Sequence, residues 1–263
     1  MRFDVISRRK WLLYSITLPI ILAICFSIYL FIPYPAPPII SQLFIAHAGG
    51  EIEGYKYTNS YEAVLQSLSN GFKYIELDLQ VTSDSQLVCM HNISEFRNIT
   101  QMPSWQELTL ETFKKQKIYG KYTPLSVEDL LKIQEKRSFV IVTDKISDPT
   151  ILDSYFSNNR NNIMVEAFTL EDYMALERLG YIPMLSISAK WIRRQYIENC
   201  IKYGGRIKWV TVSVYSEEDI RYFRILKKLF GLKISVYSPL PTKKLLRYLG
   251  REIDLLYVDT RAQ

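Results

Sequence analysis

Leu43–Asn92 reads LFIAHAGGEIEGYKYTNSYEAVLQSLSNGFKYIELDLQVTSDSQLVCMHN, and the fold follows from how this stretch is parsed. It holds both histidines of the chain, His47 and His91, each at the end of a short apolar run. Between them lies Lys73–Val81, KYIELDLQV, in which Glu76 and Asp78 alternate with Ile75, Leu77 and Leu79. Residues two apart on a strand share a face. Two carboxylates therefore project to one side of a strand that is otherwise apolar. Ionised carboxylates inside a fold are costly unless a cation meets them. A divalent metal held by oxygen ligands is the usual solution.

Outward from this stretch the chain alternates strand-length apolar runs with longer helical patterns. Leu43–Ala46 is a strand, and Ser60–Asn70 a helix with Asn59 or Ser60 as its cap and Gly71 as its stop. Of the two, Asn59 is the residue read as a cap rather than a substrate contact. Ser83–Gln86 is a turn, and Leu87–Met90 a short extension ending at His91. Residues 93–123 form an excursion with one short helix around Thr109–Lys115. Ser126–Glu135 is helical, and Ser138–Thr143 is the third strand, leading into Asp144 and Lys145. Further strands are expected at Ile163–Ala167, Ile182–Ile187, Trp209–Val214, Leu232–Tyr237 and Leu255–Val258. Helical patterns fill 169–180, 189–204, 216–230 and 241–250. Alternation of this kind implies parallel strands joined by right-handed crossovers. Eight such strands predict an α/β fold, a closed (β/α)8 TIM barrel over 43–263.

Residues 11–32, WLLYSITLPIILAICFSIYLFI, carry no charge and are long enough to span a bilayer, for which about 20 residues suffice. Arg8, Arg9 and Lys10 precede them, so residues 1–10 read as a basic cytoplasmic tail. The expectation is a single-pass, uncleaved transmembrane anchor in the cytoplasmic (inner) membrane, with the barrel on the outer or periplasmic side. Pro33, Pro35, Pro37 and Pro38 make 33–42 a stiff linker.

The formal charge of the 263-residue chain is +6, and half of that excess sits in the first ten residues. So mild a balance does not argue for nucleic acid; it suits an anionic substrate or an anionic membrane surface. The basic-aromatic stretches Lys190–Lys208 and Arg221–Lys233 read as solvated helix faces. Three cysteines, Cys25, Cys89 and Cys200, make no disulfide framework.

In a barrel of this type the active site lies at the C-terminal ends of the strands. His47, Glu76, Asp78, His91, Asp144 and Lys145 all fall there. Three carboxylates make a hard-cation site for Ca²⁺ or Mg²⁺. Two histidines suit general acid and base, and a lysine beside them can neutralise a phosphate oxygen. Together these residues describe metal-assisted cleavage of a phosphodiester.

The ordered motifs His47-Ala48-Gly49-Gly50, Thr58-Asn59-Ser60-x-Glu62-Ala63, Gly71-x-x-x-Ile75-Glu76-x-Asp78, Thr82-x-Asp84, Val88-x-x-His91-Asn92 and Pro124-Leu125-Ser126-x-Glu128-x-Leu130 resemble the glycerophosphodiester phosphodiesterase family. The resemblance spans about residues 43–168. It implies a phosphatidylinositol-phospholipase-C-like barrel that cleaves a glycerophosphodiester to glycerol phosphate and an alcohol. It further implies Glu76 and Asp78 as metal ligands, Asp144 as the third carboxylate, and His47 and His91 as the acid/base pair. Lys145 and Tyr237 take the substrate-binding positions. Ala48 stands where the family usually has arginine, Asp144 where it has glutamate, and Tyr237 where it has tryptophan. The substrate expected is a glycerophosphodiester or a phosphorylated surface polymer. Two other readings are compatible with the same residues. One is an inactive, membrane-tethered barrel that binds a phosphorylated glycan or lipid headgroup. The other is an enzyme whose product is a cyclic phosphate.

Overall fold

The computed structural model of the protein describes residues 3–35, 42–188, 206–238 and 242–260; the side chains of residues 3–14, 188, 218, 221 and 222 lie outside that description. Numbered in chain order, the described strands are β1 (Phe44–Ala46), β2 (Tyr74–Val81), β3 (Leu87–Cys89), β4 (Leu125–Ser126), β5 (Val140–Asp144), β6 (Ile163–Ala167), β7 (Ile182–Ser188), β8 (Trp209–Ser213), β9 (Lys233–Tyr237) and β10 (Leu255–Val258). The described α-helices are α1 (Phe3–Phe31), α2 (Tyr61–Ser69), α3 (Ile93–Thr100), α4 (Leu110–Lys115), α5 (Val127–Lys136), α6 (Pro149–Phe156), α7 (Leu170–Leu179), α8 (Glu217–Phe230) and α9 (Thr242–Leu245).

Eight parallel strands close on themselves in the order β1-β2-β5-β6-β7-β8-β9-β10, with β10 pairing back to β1. Alternation along each strand divides the side chains. Ile75, Leu77 and Leu79 of β2 face outward into the layer between strands and helices, together with Leu130, Leu176 and Phe223. Each such side chain, once buried, contributes roughly 1.5–3 kcal/mol. Ile45, Val142, Met164, Met184, Leu255 and Tyr257 fill the barrel interior. Above that plug the inward positions turn polar, and the site is built there.

β2 outruns the barrel. Its first five residues pair with β5, and Leu79–Val81 then pair antiparallel with β3, which pairs with β4. This upright hairpin carries the excursion over the barrel rim. The excursion contains two helices rather than the one expected: α3, capped by Asn92 through the Glu95 N–H, precedes α4. It packs its own small core around Phe96, Phe113, Ile118 and Tyr122. α6, with Asp148 as its cap and Pro149 in its first turn, is a second helix absent from the sequence reading. Both are eight-residue elements of about two turns, whose short apolar pattern gives little periodicity. The pattern at 241–250 yields only the four residues of α9, and the one at 189–204 lies outside the described residues. Cys89 is a free buried thiol, and Cys200 lies outside the described residues.

α1 is continuous through Pro19. Among the described residues no helix is long and apolar enough to cross a membrane; the side chains of α1 are described only from Ser15 onward. Its C-terminal end meets α8, where Arg224 and Lys228 donate to the carbonyls of Phe31 and Ile32.

Candidate active site

A cavity of about 590 Å³ opens at the C-terminal ends of the barrel strands. His47, Glu76, Asp78, His91, Asp144, Lys145 and Tyr237, the seven positions expected from sequence, all line it. Glu166, Tyr57, Tyr257 and Glu95 line it as well.

Each side chain is aimed by a specific backbone feature. β1 ends at Ala46, and the chain turns through His47–Gly49 with Ala48 left-handed at φ 48°. That turn points the Ala48 N–H at Glu76 Oε2, 2.6 Å away. Gly50 is required where the loop crosses α2: at φ +92°, a Cβ there would lie 2.2 Å from Ser67 Oγ. Ser60, not Asn59, caps α2 by accepting from the Ala63 N–H. Asn59, left-handed at φ 48°, holds Asp78 instead. Its Nδ2 donates to Asp78 Oδ2 at 2.9 Å, and its Oδ1 accepts from the Asp78 N–H at 3.0 Å. Asp78 and Asp144 are direct neighbours in the β2–β5 register. Lys145, left-handed at φ 72°, folds back so that Nζ reaches Asp144 Oδ2 at 2.6 Å and Asp78 Oδ1 at 3.3 Å.

Glu76, Asp78 and Asp144 each present an oxygen within 4.8 Å of the others. Two like charges at that separation repel by about 3.5 kcal/mol at an effective dielectric near 20. Glu76 is 1% exposed and Asp78 2%. Burial first, then Asp78 and Asp144, drives the Glu76 carboxyl well above its ordinary range. Its Oε1 is buried with no hydrogen-bond partner. An orphaned carboxylate oxygen facing two further carboxylates is the arrangement a hard divalent cation satisfies. The trio fits such an ion. Burial pulls the Lys145 ammonium down, but its bonds to Asp144 and Asp78 outweigh this and raise it above its ordinary value.

Glu166 on β6 is a fourth carboxylate in the cavity, 7% exposed. Its Oε1 accepts from the Tyr257 hydroxyl at 2.6 Å. Burial, reinforced by Asp144, pushes it up to about 8.

Each histidine has its own carboxylate. His47 Nδ1 lies 3.1 Å from Asp259 Oδ1, and Nε2 lies 3.9 Å from Glu76 Oε2. Asp259 directly follows β10 and also pairs with Lys56 at 2.8 Å. The His47 bond, working against burial and helped by Lys56, holds the Asp259 carboxyl below its ordinary range. Tyr57 and Tyr237 flank the His47 ring at centroid distances of 4.9 and 5.1 Å. His91 Nδ1 lies 2.6 Å from Glu95 Oε2 across one turn of α3. His47 is thus enclosed, whereas His91 stands at the open side. Asp259 is absent from the sequence reading, although it obeys the rule that found the others: it is the first residue after a strand. Leu255–Val258 is expected as a strand from the sequence, so the strand-end rule by itself was signal enough to find it.

Ala48 is fully buried, so its side chain offers nothing to a substrate. Lys145 is the cation of the described cavity lining.

The sequence model described as the "Glycerophosphoryl diester phosphodiesterase family" matches residues 49–196. None of the curated proteins matches the chain. Among solved structures, a glycerophosphoryl diester phosphodiesterase from Parabacteroides distasonis is 17% identical with a TM-score of 0.63, covering 88% of this chain and 86% of that one. A glycerophosphodiester phosphodiesterase from Thermotoga maritima is 18% identical with a TM-score of 0.62, covering 83% of this chain and 94% of its own. One from Agrobacterium tumefaciens is 15% identical with a TM-score of 0.61, covering 84% and 97%. At these identities the structures speak to the fold, and the sequence model to the family.

Proposed function

The chain belongs to the glycerophosphoryl diester phosphodiesterase family, whose members are phosphoric diester hydrolases, and from that premise we propose that it hydrolyses a glycerophosphodiester-type substrate in the rim cavity while tethered to a membrane by α1. The observation that carries the reading is the convergence of two carboxylate-paired histidines, three clustered carboxylates and one lysine on a single cavity.

Glu76, Asp78 and Asp144 would hold the divalent cation, Ca²⁺ or Mg²⁺, which when bound supplies positive charge to a phosphate oxygen. Asn59 fixes the carboxylate of Asp78, and the Ala48 N–H fixes that of Glu76. The Lys145 ammonium neutralises a second phosphate oxygen, the role that falls to it because Ala48 brings no guanidinium. His47, held at Nδ1 by Asp259, presents Nε2 to the cavity and accepts a proton from the attacking water, whose oxygen forms the new bond to phosphorus as the bond to the alcohol oxygen breaks. His91, held at Nδ1 by Glu95, delivers a proton to the departing alkoxide, so that glycerol phosphate and a neutral alcohol leave. Tyr237 and Tyr57 wall the substrate beside His47.

Support for the anchor comes from α1 itself. From Ser15 onward its apolar side chains are exposed around the whole circumference, with Leu22 at 59% and Phe31 at 65%. A helix apolar on every side belongs in lipid or in a core, and among the described residues no core surrounds this stretch. Arg8, Arg9 and Lys10, within α1 ahead of its uncharged run, favour an N-terminus on the cytoplasmic side and a barrel across the membrane.

The test is turnover of glycerophosphocholine with Ca²⁺, Mg²⁺ or chelator, beside Glu76→Ala. Hydrolysis that both chelator and substitution abolish is expected. Full activity in Glu76→Ala would overturn the assignment.

A further inference from the structure

Resting on the reading of Glu76, Asp78 and Asp144 as the cation site, we infer that the Lys145 ammonium is the internal occupant of that site, and that an arriving divalent cation displaces it into the cavity. Lys145 thereby sets the affinity for the cation, besides serving the phosphate once it is released.

The oxygens of the trio divide into two sets. One oxygen of each carboxylate is tied to a fixed group. Glu76 Oε2 accepts from the Ala48 N–H at 2.6 Å, Asp78 Oδ2 from Asn59 Nδ2 at 2.9 Å, and Asp144 Oδ1 from the Lys145 N–H at 2.6 Å. Glu76 Oε1, Asp78 Oδ1 and Asp144 Oδ2 remain to meet a cation. Glu76 Oε1 is buried with no hydrogen-bond partner. The other two face one and the same group, Lys145 Nζ, at 3.3 and 2.6 Å. The lysine therefore holds two of the three oxygens that the structure leaves for an ion.

Ammonium and metal ion compete for these atoms. A hard divalent cation binds a carboxylate oxygen at about 2.0–2.6 Å. With Nζ 2.6 Å from Asp144 Oδ2, the two positive centres would stand at most about 5 Å apart. Like charges that close in a partly buried site repel strongly, and the mobile partner is the one to leave. Glu76 and Asp78 are buried, and their tied oxygens keep them in place. Lys145 ends a flexible four-carbon stem, and its side chain is 34% exposed in the cavity it lines. The left-handed backbone directly after β5 is what folds that stem back over Asp144 and Asp78. Until a cation arrives, the ammonium offsets carboxylates that would otherwise be buried without a counter-ion. Once the cation has taken the two oxygens, the ammonium is free for a phosphate, so the substrate follows the cation.

The experiment uses the full chain in detergent, stripped with chelator and titrated calorimetrically with Ca²⁺ and with Mg²⁺, beside Lys145→Met and Lys145→Arg. A cation that must first expel an occupant binds with an affinity reduced by the fraction of sites left open. Lys145→Met, similar in length but uncharged, is expected to bind at least about tenfold more tightly than the unaltered protein, although its turnover falls. Lys145→Arg keeps the charge and should keep the weaker affinity. Equal affinities in the unaltered protein and Lys145→Met would overturn the displacement and leave the cation site standing. Binding by Lys145→Met alone would overturn it as well, making Lys145 a permanent occupant. Binding by neither would overturn the cation site and take the displacement with it. Lys145→Met lacks the counter-ion in chelator, so a second measurement needs no substitution. Reductive methylation of the unaltered protein, read at Lys145 by peptide mass spectrometry, is expected to rise severalfold in saturating Ca²⁺, while the exposed Lys115 and Lys132 label equally with and without it. Labelling of Lys145 that Ca²⁺ leaves unchanged or lowers would overturn the displacement.

Discussion

Asn59 grips Asp78 at two points, donating from Nδ2 to the carboxylate and accepting at Oδ1 from the backbone N–H of the same residue. An amide carries its donor and its acceptor on separate atoms, so it can do both at once. It also tolerates the left-handed backbone that this position adopts. Asn59→Ala removes both bonds and leaves Asp78 free to turn. We expect cation affinity and turnover to fall by about 10–100-fold. Isothermal titration with Ca²⁺ and with Mg²⁺, beside steady-state kinetics, checks this. Asn59→Gly separates the amide from the backbone: it relieves the left-handed strain but should lose affinity as much as Asn59→Ala does.

The carboxylate cluster sets a pH dependence of stability with a definite sign. Glu76 and Glu166 have folded-state pKa values raised above the ordinary 4.5, Glu166 to about 8. The folded chain therefore keeps protons that the unfolded chain has released, and stability falls as pH rises between those values. The melting temperature of the cation-free protein should drop from pH 5 to pH 8. Saturating divalent cation should flatten the slope, because a bound cation replaces the protons. Thermal scans in chelator and in Ca²⁺ across that range decide it; a rise in chelator would contradict the electrostatic account.

Asp259 behaves oppositely. Its carboxyl is held below its ordinary value by His47 and Lys56, so its contribution is present at neutral pH and is lost only as pH falls through that depressed value. Asp259→Asn keeps the shape but not the charge that steadies His47 when the ring takes up a proton. We expect kcat to fall at least about tenfold while cation affinity is unchanged, since Asp259 lies outside the carboxylate trio. Equal loss of affinity would place Asp259 in the cation site instead.

His91→Ala should lower turnover by about 10²–10⁴-fold with a leaving group of ordinary alcohol basicity. An activated aryl phosphodiester, whose leaving group departs without a proton, should be cleaved by His91→Ala nearly as well as by the unaltered protein. Equal losses on both substrates would remove His91 from the leaving-group side.

Much of this was legible in the sequence because a barrel converts strand ends into an active site. Once Glu76 and Asp78 are read on one face of a strand, every residue that closes a neighbouring strand becomes a candidate, and all seven chosen line the cavity. The misses have a common cause. Asn59 is next to Ser60, and local capping chemistry explains either residue before any distant contact is known. Glu95 supports His91 only because 93–100 is helical, and a helix that short leaves little periodicity to detect. The left-handed backbones at Ala48, Tyr57 and Lys145 are imposed by the tertiary contacts they serve, against the preference of those residue types. No local pattern announces them.

The pairing of Ala46 with Val258 zips the first barrel strand to the last, and the residues directly beyond that pair are His47 and Asp259. The acid/base histidine is thus aligned by the seam of the barrel, whereas the carboxylate trio stands on β2 and β5 within its first half. A nascent or partly opened chain can assemble the trio and still lack an aligned His47. Chemical competence consequently arrives last in assembly and is the first property lost when the seam frays. Hydrogen exchange at Val258 should track inactivation more closely than exchange at Val142 does.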